Sequence, residues 1–167
     1  MHSMLCAVVA VMLLGSVESL WALRARVTTR GLAMSAAPAL KYGALQHCGL
    51  LVSDVESAKA FYMEVFSFTD ESHLRPKTLP YPGAFMNIAG MFQIHLMQLP
   101  SMDPKEGRPE HGGRDRHVAV TVNDIEIIKN RLAARGLPHT MSSSGRRALF
   151  CRDLDGNAFE FMEDVNL

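Results

Sequence analysis

The sequence is poor in the residues that announce several common kinds of protein. Its three cysteines, Cys6, Cys48 and Cys151, form no CxxC pair and no zinc-finger spacing, so neither a disulfide framework nor a thiolate metal site is expected. Tryptophan occurs once, and 17 lysines and arginines are balanced by 17 aspartates and glutamates, so no whole-molecule field selects nucleic acid. The apolar run from Met4 to Gly15 is too short for a membrane span. At 167 residues the chain has room for one domain with a proper core and too little for two ordinary ones.

The acidic residues are missing in one place above all: none lies between Glu18 and Asp54. That stretch, "LRARVTTRGLAMSAAPALKYGALQ", carries Arg24, Arg26 and Arg30 among hydroxyl and small residues, which is transit-peptide composition. It follows an apolar segment of signal-peptide length, "MLCAVVAVMLLG", and the small and polar residues of "SVESLWA". The two together resemble the bipartite leader of plastid proteins; a plain secretory signal or a mitochondrial leader are the alternatives. Residues 1–41 are therefore expected to be a targeting leader, and residues 42–167 the folded domain, which has no membrane partner in its mature form.

Within that domain the chain repeats itself. "LQHCGLLVSDVESAKAFYMEVF" has His47 seven positions before Asp54, and "DRHVAVTVNDIEIIKNRLAARG" has His117 seven positions before Asp124. Each reads as strand, acidic turn and helix. Ala58, Phe61, Tyr62, Val65 and Phe66 follow helical spacing in the first, and Ile125, Ile128, Leu132 and Ala133 in the second. Ser53 with Asp54, and Asn123 with Asp124, supply helix caps, while Gly136 and Pro138 stop the second helix. Strand-like segments follow: "GAFMNIA" and "MFQIHLMQLP" in the first half, "RRALFCRD" and "NAFEFMED" in the second. A further strand in each half is sought in "DESHLRP" and "LPHTMSS". The predicted architecture is α+β: two βαβββ modules, about 44–100 and 114–165.

Period-two alternation gives each half two residues of ligand type on the less apolar face. His117 opposes Val118 and Val120; His95 lies between Ile94 and Leu96; Glu160 lies between Phe159 and Phe161; His47 opposes Cys48 and Leu50. Three imidazoles and a carboxylate suit zinc, nickel, iron or manganese rather than calcium. A cation with an open position lowers the pKa of bound water or polarises a carbonyl. The plainer alternative is that these residues line a pocket that binds a small molecule without metal.

The segments "HCGLLVSDVESAKAFYMEVFSF", "FQIHLMQLP", "GRDRHVAVTV" and "GRRALFCRDLDGNAFEFME" resemble the vicinal oxygen chelate superfamily of glyoxalase I, fosfomycin resistance proteins, extradiol dioxygenases and bleomycin-binding proteins. The run from "IHLMQLP" to "DGNAFEF" is similar in particular to glyoxalase I-like proteins of plants and algae. The resemblance covers residues 44–164 and implies that the paired modules form a curved mixed sheet around a metal cleft, which would hold a divalent metal, zinc or nickel first and iron or manganese as alternatives. His47, His117 and Glu160 fall on the shared metal positions, and His95 falls where glyoxalase I has a glutamate that is both ligand and base. The resemblance implies lactoylglutathione lyase-type isomerisation of a small reactive carbonyl or its glutathione hemithioacetal, with glutathione as co-substrate, His95 or Glu160 moving the proton, and a homodimer. Because His95 departs from the pattern, an iron(II) dioxygenase of 2-His-1-carboxylate type and a metal-free binding protein remain the alternatives. Pairing of the modules within one chain or between two satisfies the pattern equally.

Other features receive plainer readings. Arg146 and Arg147 are candidates to grip an anionic substrate end. Arg108, Arg114 and Arg116 are expected to be solvated loop charges, and His111 is read as an ordinary loop histidine, with an approach to the cleft mouth as the alternative. "DLDGN" lacks the rest of a calcium loop and is read as a turn, and Cys48 and Cys151 as small core residues.

Overall fold

The alternation in "HCGLLV" suits a strand that buries one face, and the chain forms one there: β1 (His47–Val52) has Val52 buried and Cys48 and Leu50 half-buried, against exposed His47 and Gly49. The computed structural model describes residues 39–90 and 92–167, so the leader expected over residues 1–41 falls outside the described residues except at its end. A compact unit spans Gly43–Leu167. After β1 come α1 (Val55–Phe66), β2 (Thr69–Asp70), β3 (Gly83–Ile88) and β4 (Phe92–Gln98). The second half follows with β5 (His117–Val122), α2 (Ile125–Ala134), β6 (His139–Met141), β7 (Ala148–Arg152) and β8 (Ala158–Glu163).

Each half is a βαβββ module with its own four-stranded mixed sheet, in the order β1-β4-β3-β2 for the first and β5-β8-β7-β6 for the second. The strand sought in each half exists: β6 lies inside "LPHTMSS", while β2 sits at the start of the other segment and gives way to a 3-10 turn at Ser72–Leu74. Both helices are capped as expected, Asp54 accepting from the Ser57 amide and Asp124 from the Glu126 amide.

The modules share one hydrophobic core. Val55, Ala58, Phe61, Tyr62, Val65 and Phe66 make one buried stripe of α1, which meets Phe68 of its own module and Phe159 and Phe161 of the other. Phe66 lies 4.9 Å from Phe161 and Tyr62 lies 5.6 Å from Phe159, ring centroid to ring centroid. Such pairs contribute about 0.5–1.5 kcal/mol each beyond area burial. In α2, Ile125, Ile128 and Leu132 are buried, but Ala133 is exposed. The core stripe of that short helix is complete without it.

The "DLDGN" segment is a turn, yet not a solvated one. Asp153 is buried and its carboxylate accepts from the Tyr62 hydroxyl at 2.7 Å, the Asn157 side chain at 2.8 Å, and the Asp155 and Asn157 amides. Asp155 in turn accepts from the Ser53 amide, and Asn157 donates to the Leu51 carbonyl. The second module's turn thus satisfies backbone groups at the end of β1 that have no ladder partner.

Candidate functional site

Strand register brings the ligand-type residues onto equivalent rows of the two sheets. In the first module Gly49, His95 and Phe85 stand side by side; in the second, Ala119, Glu160 and Phe150 do. His95 and Glu160 are therefore counterparts, and so are His47 and His117 at the first position of their strands. Two pairs result. The His47 and His95 rings stack at 4.0 Å, and His117 Nε2 lies 3.3 Å from Glu160 Oε2. Among the described residues no three His, Cys, Asp or Glu side chains are grouped closely enough to hold a metal ion. One chain thus presents two half-sets of donors, not one closed set.

The His117–Glu160 pair supplies donor atoms that could hold a cation. His117 Nδ1 donates to the Asp115 carbonyl at 2.8 Å, since a carbonyl oxygen can only accept. That leaves Nε2 as the nitrogen that faces Glu160. Glu160 is buried, and its Oε1 has no hydrogen-bond partner among the described residues. A buried carboxylate oxygen left alone costs about 1–3 kcal/mol or more, and a bound cation is one of the few groups that would repay it. The donor chemistry, imidazole nitrogen beside carboxylate oxygen, fits a divalent transition metal. Arg146 approaches the same oxygen at 3.8 Å and is mostly exposed.

Around this pair the loop is held firmly. Asp115 accepts from Arg108 at 2.8 Å and from Arg152 at 2.9 Å, and those guanidinium groups, Arg108 first, hold its carboxyl down to about 2. Arg108, expected to be solvated, is thus half-buried in an ion pair, because Asp115 is carried to it by the loop before β5. The rings of His117 and His111 both meet the Phe150 ring in T-shaped contacts, at 5.4 Å and 4.7 Å, and His111 is further tied to the Thr140 hydroxyl. The 3-10 turn Gly112–Arg114 lies on the same ring: a Cβ on Gly112 would stand 3.0 Å from that of Phe150.

In the first module the His95 ring is stacked on His47 on one side and on Phe85 at 3.8 Å on the other. Burial, with the neighbouring His47 imidazole, holds His95 below the ordinary histidine range. Arg147 is engaged away from these pairs, its guanidinium bound twice to Glu163 at 2.5 and 2.9 Å. Cys151 is buried and its thiol is pushed up to about 12, chiefly by burial, so it is no nucleophile; Cys48 is half-buried. A cavity of about 320 Å³ adjoins His117 and is lined also by Gly49, Leu51, Arg116 and Asn157. A larger one, about 580 Å³, is lined by Lys105, Thr140, Phe150 and Arg152 and touches none of the four ligand-type residues.

Phe85, Phe150 and Asp115 are members of the site that sequence reasoning did not single out. The internal repeat held a signal for the first two, since each stands opposite a ligand-type residue in equivalent strands.

Residues 44–161 match the model of the Glyoxalase/Bleomycin resistance protein/Dioxygenase superfamily. The chain is 26% identical over 127 residues to the uncharacterized protein YaeR of Escherichia coli (strain K12), covering 71% of this chain and 95% of that one. Its fold is similar to a crystallised mutant of the fosfomycin resistance protein FosX from Listeria monocytogenes, complexed with manganese(II) and 1S,2S-dihydroxypropylphosphonic acid. That match has a TM-score of 0.57 and 21% identity, and covers 74% of this chain and 93% of FosX. Lactoylglutathione lyase from Agrobacterium tumefaciens matches with a TM-score of 0.51 and 22% identity, covering 75% and 96%.

Proposed function

Because the chain belongs to the Glyoxalase/Bleomycin resistance protein/Dioxygenase superfamily, we propose that it is a metal-dependent, glyoxalase I-like enzyme acting on a small reactive carbonyl or its glutathione hemithioacetal. The observation that carries this reading is the buried Oε1 of Glu160, without a hydrogen-bond partner among the described residues, on a carboxylate that His117 Nε2 faces at 3.3 Å. Two copies of the chain complete the donor set, His47 and His95 of one protomer meeting the partner subunit's His117 and Glu160. This arrangement accounts for four ligand-type residues that share equivalent rows yet stand in two separate pairs.

When bound, a divalent cation, zinc or nickel first, would supply Lewis-acid polarisation of a carbonyl oxygen. The chain's own residues would do the rest. His95, held below the ordinary histidine range by burial beside His47, is the candidate to move a proton between adjacent carbons if its free nitrogen is not ligated; Glu160 is the second candidate. Arg146, exposed at the lip beside Glu160, suits an anionic end of the substrate such as a glutathione carboxylate. Arg147 is already neutralised by Glu163 and is given no such role.

Elemental analysis of the purified protein tests the reading, with His117→Ala as control. About one zinc or nickel ion per chain, lost in the control, is expected, together with glutathione-dependent conversion of methylglyoxal. No turnover with zinc, nickel or manganese would sink the isomerase. Iron, with oxygen uptake on catechols, would move the assignment to a dioxygenase, and ligand affinity that survives chelation to a binding protein.

A further inference from the structure

His95 has two ring nitrogens, and the structure distinguishes them. Its ring faces are both covered, by His47 and by Phe85, so only its edge can act on anything else. Along that edge Nε2 lies 3.1 Å from Gln93 Oε1. Which atom carries the proton follows from the far end of the glutamine. Gln93 Nε2 donates to Glu71 Oε2 at 2.7 Å, and Asn87 Nδ2 donates to the same oxygen at 3.0 Å.

A flipped Gln93 amide would set its carbonyl oxygen against the Glu71 carboxylate, two acceptors with no proton between them. Asn87 cannot be flipped to relieve this, because its Oδ1 already accepts from the Gly90 amide. Glu71 is fixed in place in turn, its own amide donating to the Phe85 carbonyl at 2.8 Å. The Gln93 carbonyl must therefore point to His95, and His95 must donate to it from Nε2.

We propose that Glu71 and Gln93 are positioning residues that lock His95 as its Nε2–H tautomer, so that Nδ1 is the nitrogen it presents to the metal or the substrate. The second module has no such relay: the register position of Gln93 is taken there by Ala158 opposite His117. His117 is oriented instead by a backbone carbonyl and presents Nε2. The two halves thus offer opposite imidazole nitrogens. The tautomer stands independently of metal binding; only its effect on affinity rests on the function proposed above.

The test is long-range ¹H–¹⁵N correlation of the histidine rings in the metal-free full-length protein, with the His95 signals assigned by a His95→Gln variant. Wild type is expected to show His95 protonated at Nε2. Glu71→Ala and Gln93→Ala are expected to mix the tautomers, with the His117 pattern unchanged as the mark of an intact fold. Glu71→Gln is expected to restore the wild-type pattern, since a glutamine oxygen can still accept from Gln93. Zinc affinity, read by competition with a chromophoric chelator, should fall about 10- to 100-fold in the two alanine variants. An Nδ1–H tautomer in wild type, or an unchanged His95 spectrum in Glu71→Ala, would overturn the proposal. A correct tautomer in a protein that binds none of zinc, nickel, manganese and iron would leave the relay standing and sink the metal-enzyme reading alone.

Discussion

Asp115 serves the site with two different groups at once. Its carboxylate binds Arg108 and Arg152, while its backbone carbonyl accepts a hydrogen bond from His117 Nδ1–H. With the carboxyl held at about 2, below its unfolded value near 4, its contribution to stability is complete above about pH 4 and is lost as pH falls through 2. Asp115→Asn should accordingly unfold more easily than wild type near neutral pH, and the two curves should converge toward pH 2. Denaturant melts at a series of pH values check this. The parity of "HVAVTV" and "AFEFM" made His117 and Glu160 legible as neighbours on one face, and Asp115 stands only two residues away. Its importance was not legible, because Arg152 reaches it from a strand far along the chain and no local pattern marks that meeting.

Tyr62 shows the same contrast. Helical spacing identified it as core, correctly, but its hydroxyl finds Asp153, 91 residues on, only after the modules pack. Burial, with Asp153 beside it, raises the Tyr62 hydroxyl well above the ordinary tyrosine range. Its contribution is therefore full below about pH 10 and is lost as pH rises further. Tyr62→Phe removes one bond to a buried carboxylate and should cost about 1.5–3 kcal/mol in urea unfolding, with a flatter loss of stability above pH 10 than wild type.

At the level of elements, two glycines in one sheet separate close packing from mere openness. A Cβ at Gly83 in β3 would stand 2.6 Å from the Leu96 carbonyl oxygen, which is backbone and cannot turn aside. At Gly49 in β1 it would meet only the terminal methyl of Met97, at 2.9 Å. Gly83→Ala should cost about 1–3 kcal/mol and Gly49→Ala about 0.5 kcal/mol or less, as thermal or urea melts would show. The elements themselves were largely legible: repeat, caps and alternation each predicted what formed. Where the reading slipped, as with Ala133, a short helix had less buried surface than its periodicity offered. Where it falls short, as with the ion pair of Arg108, the charged composition of a loop predicts solvent exposure and conceals a partner that only the fold supplies.

For the whole molecule, the proposed sharing of the site between two copies has an arithmetic consequence. His47→Ala and His117→Ala should each abolish metal binding. Mixed under exchange conditions, they form hybrids in which one of the two sites is built wholly from wild-type residues. Random mixing should then restore roughly a quarter of the wild-type metal content. Restoration absent at full subunit exchange would place all four ligands within a chain or nowhere.

The turn from Asp153 to Asn157 has a historical consequence. Two similar halves suggest an ancestor that was one half, able to associate with its like. In the present chain Asp153 is held by Tyr62 of the other half, and Asn157 holds the other half's Leu51 carbonyl. Cut apart, the second half would keep a carboxylate deprived of its tyrosine and the first an unanswered strand end. Whatever its history, the chain now ties its two halves by bonds that neither could satisfy alone.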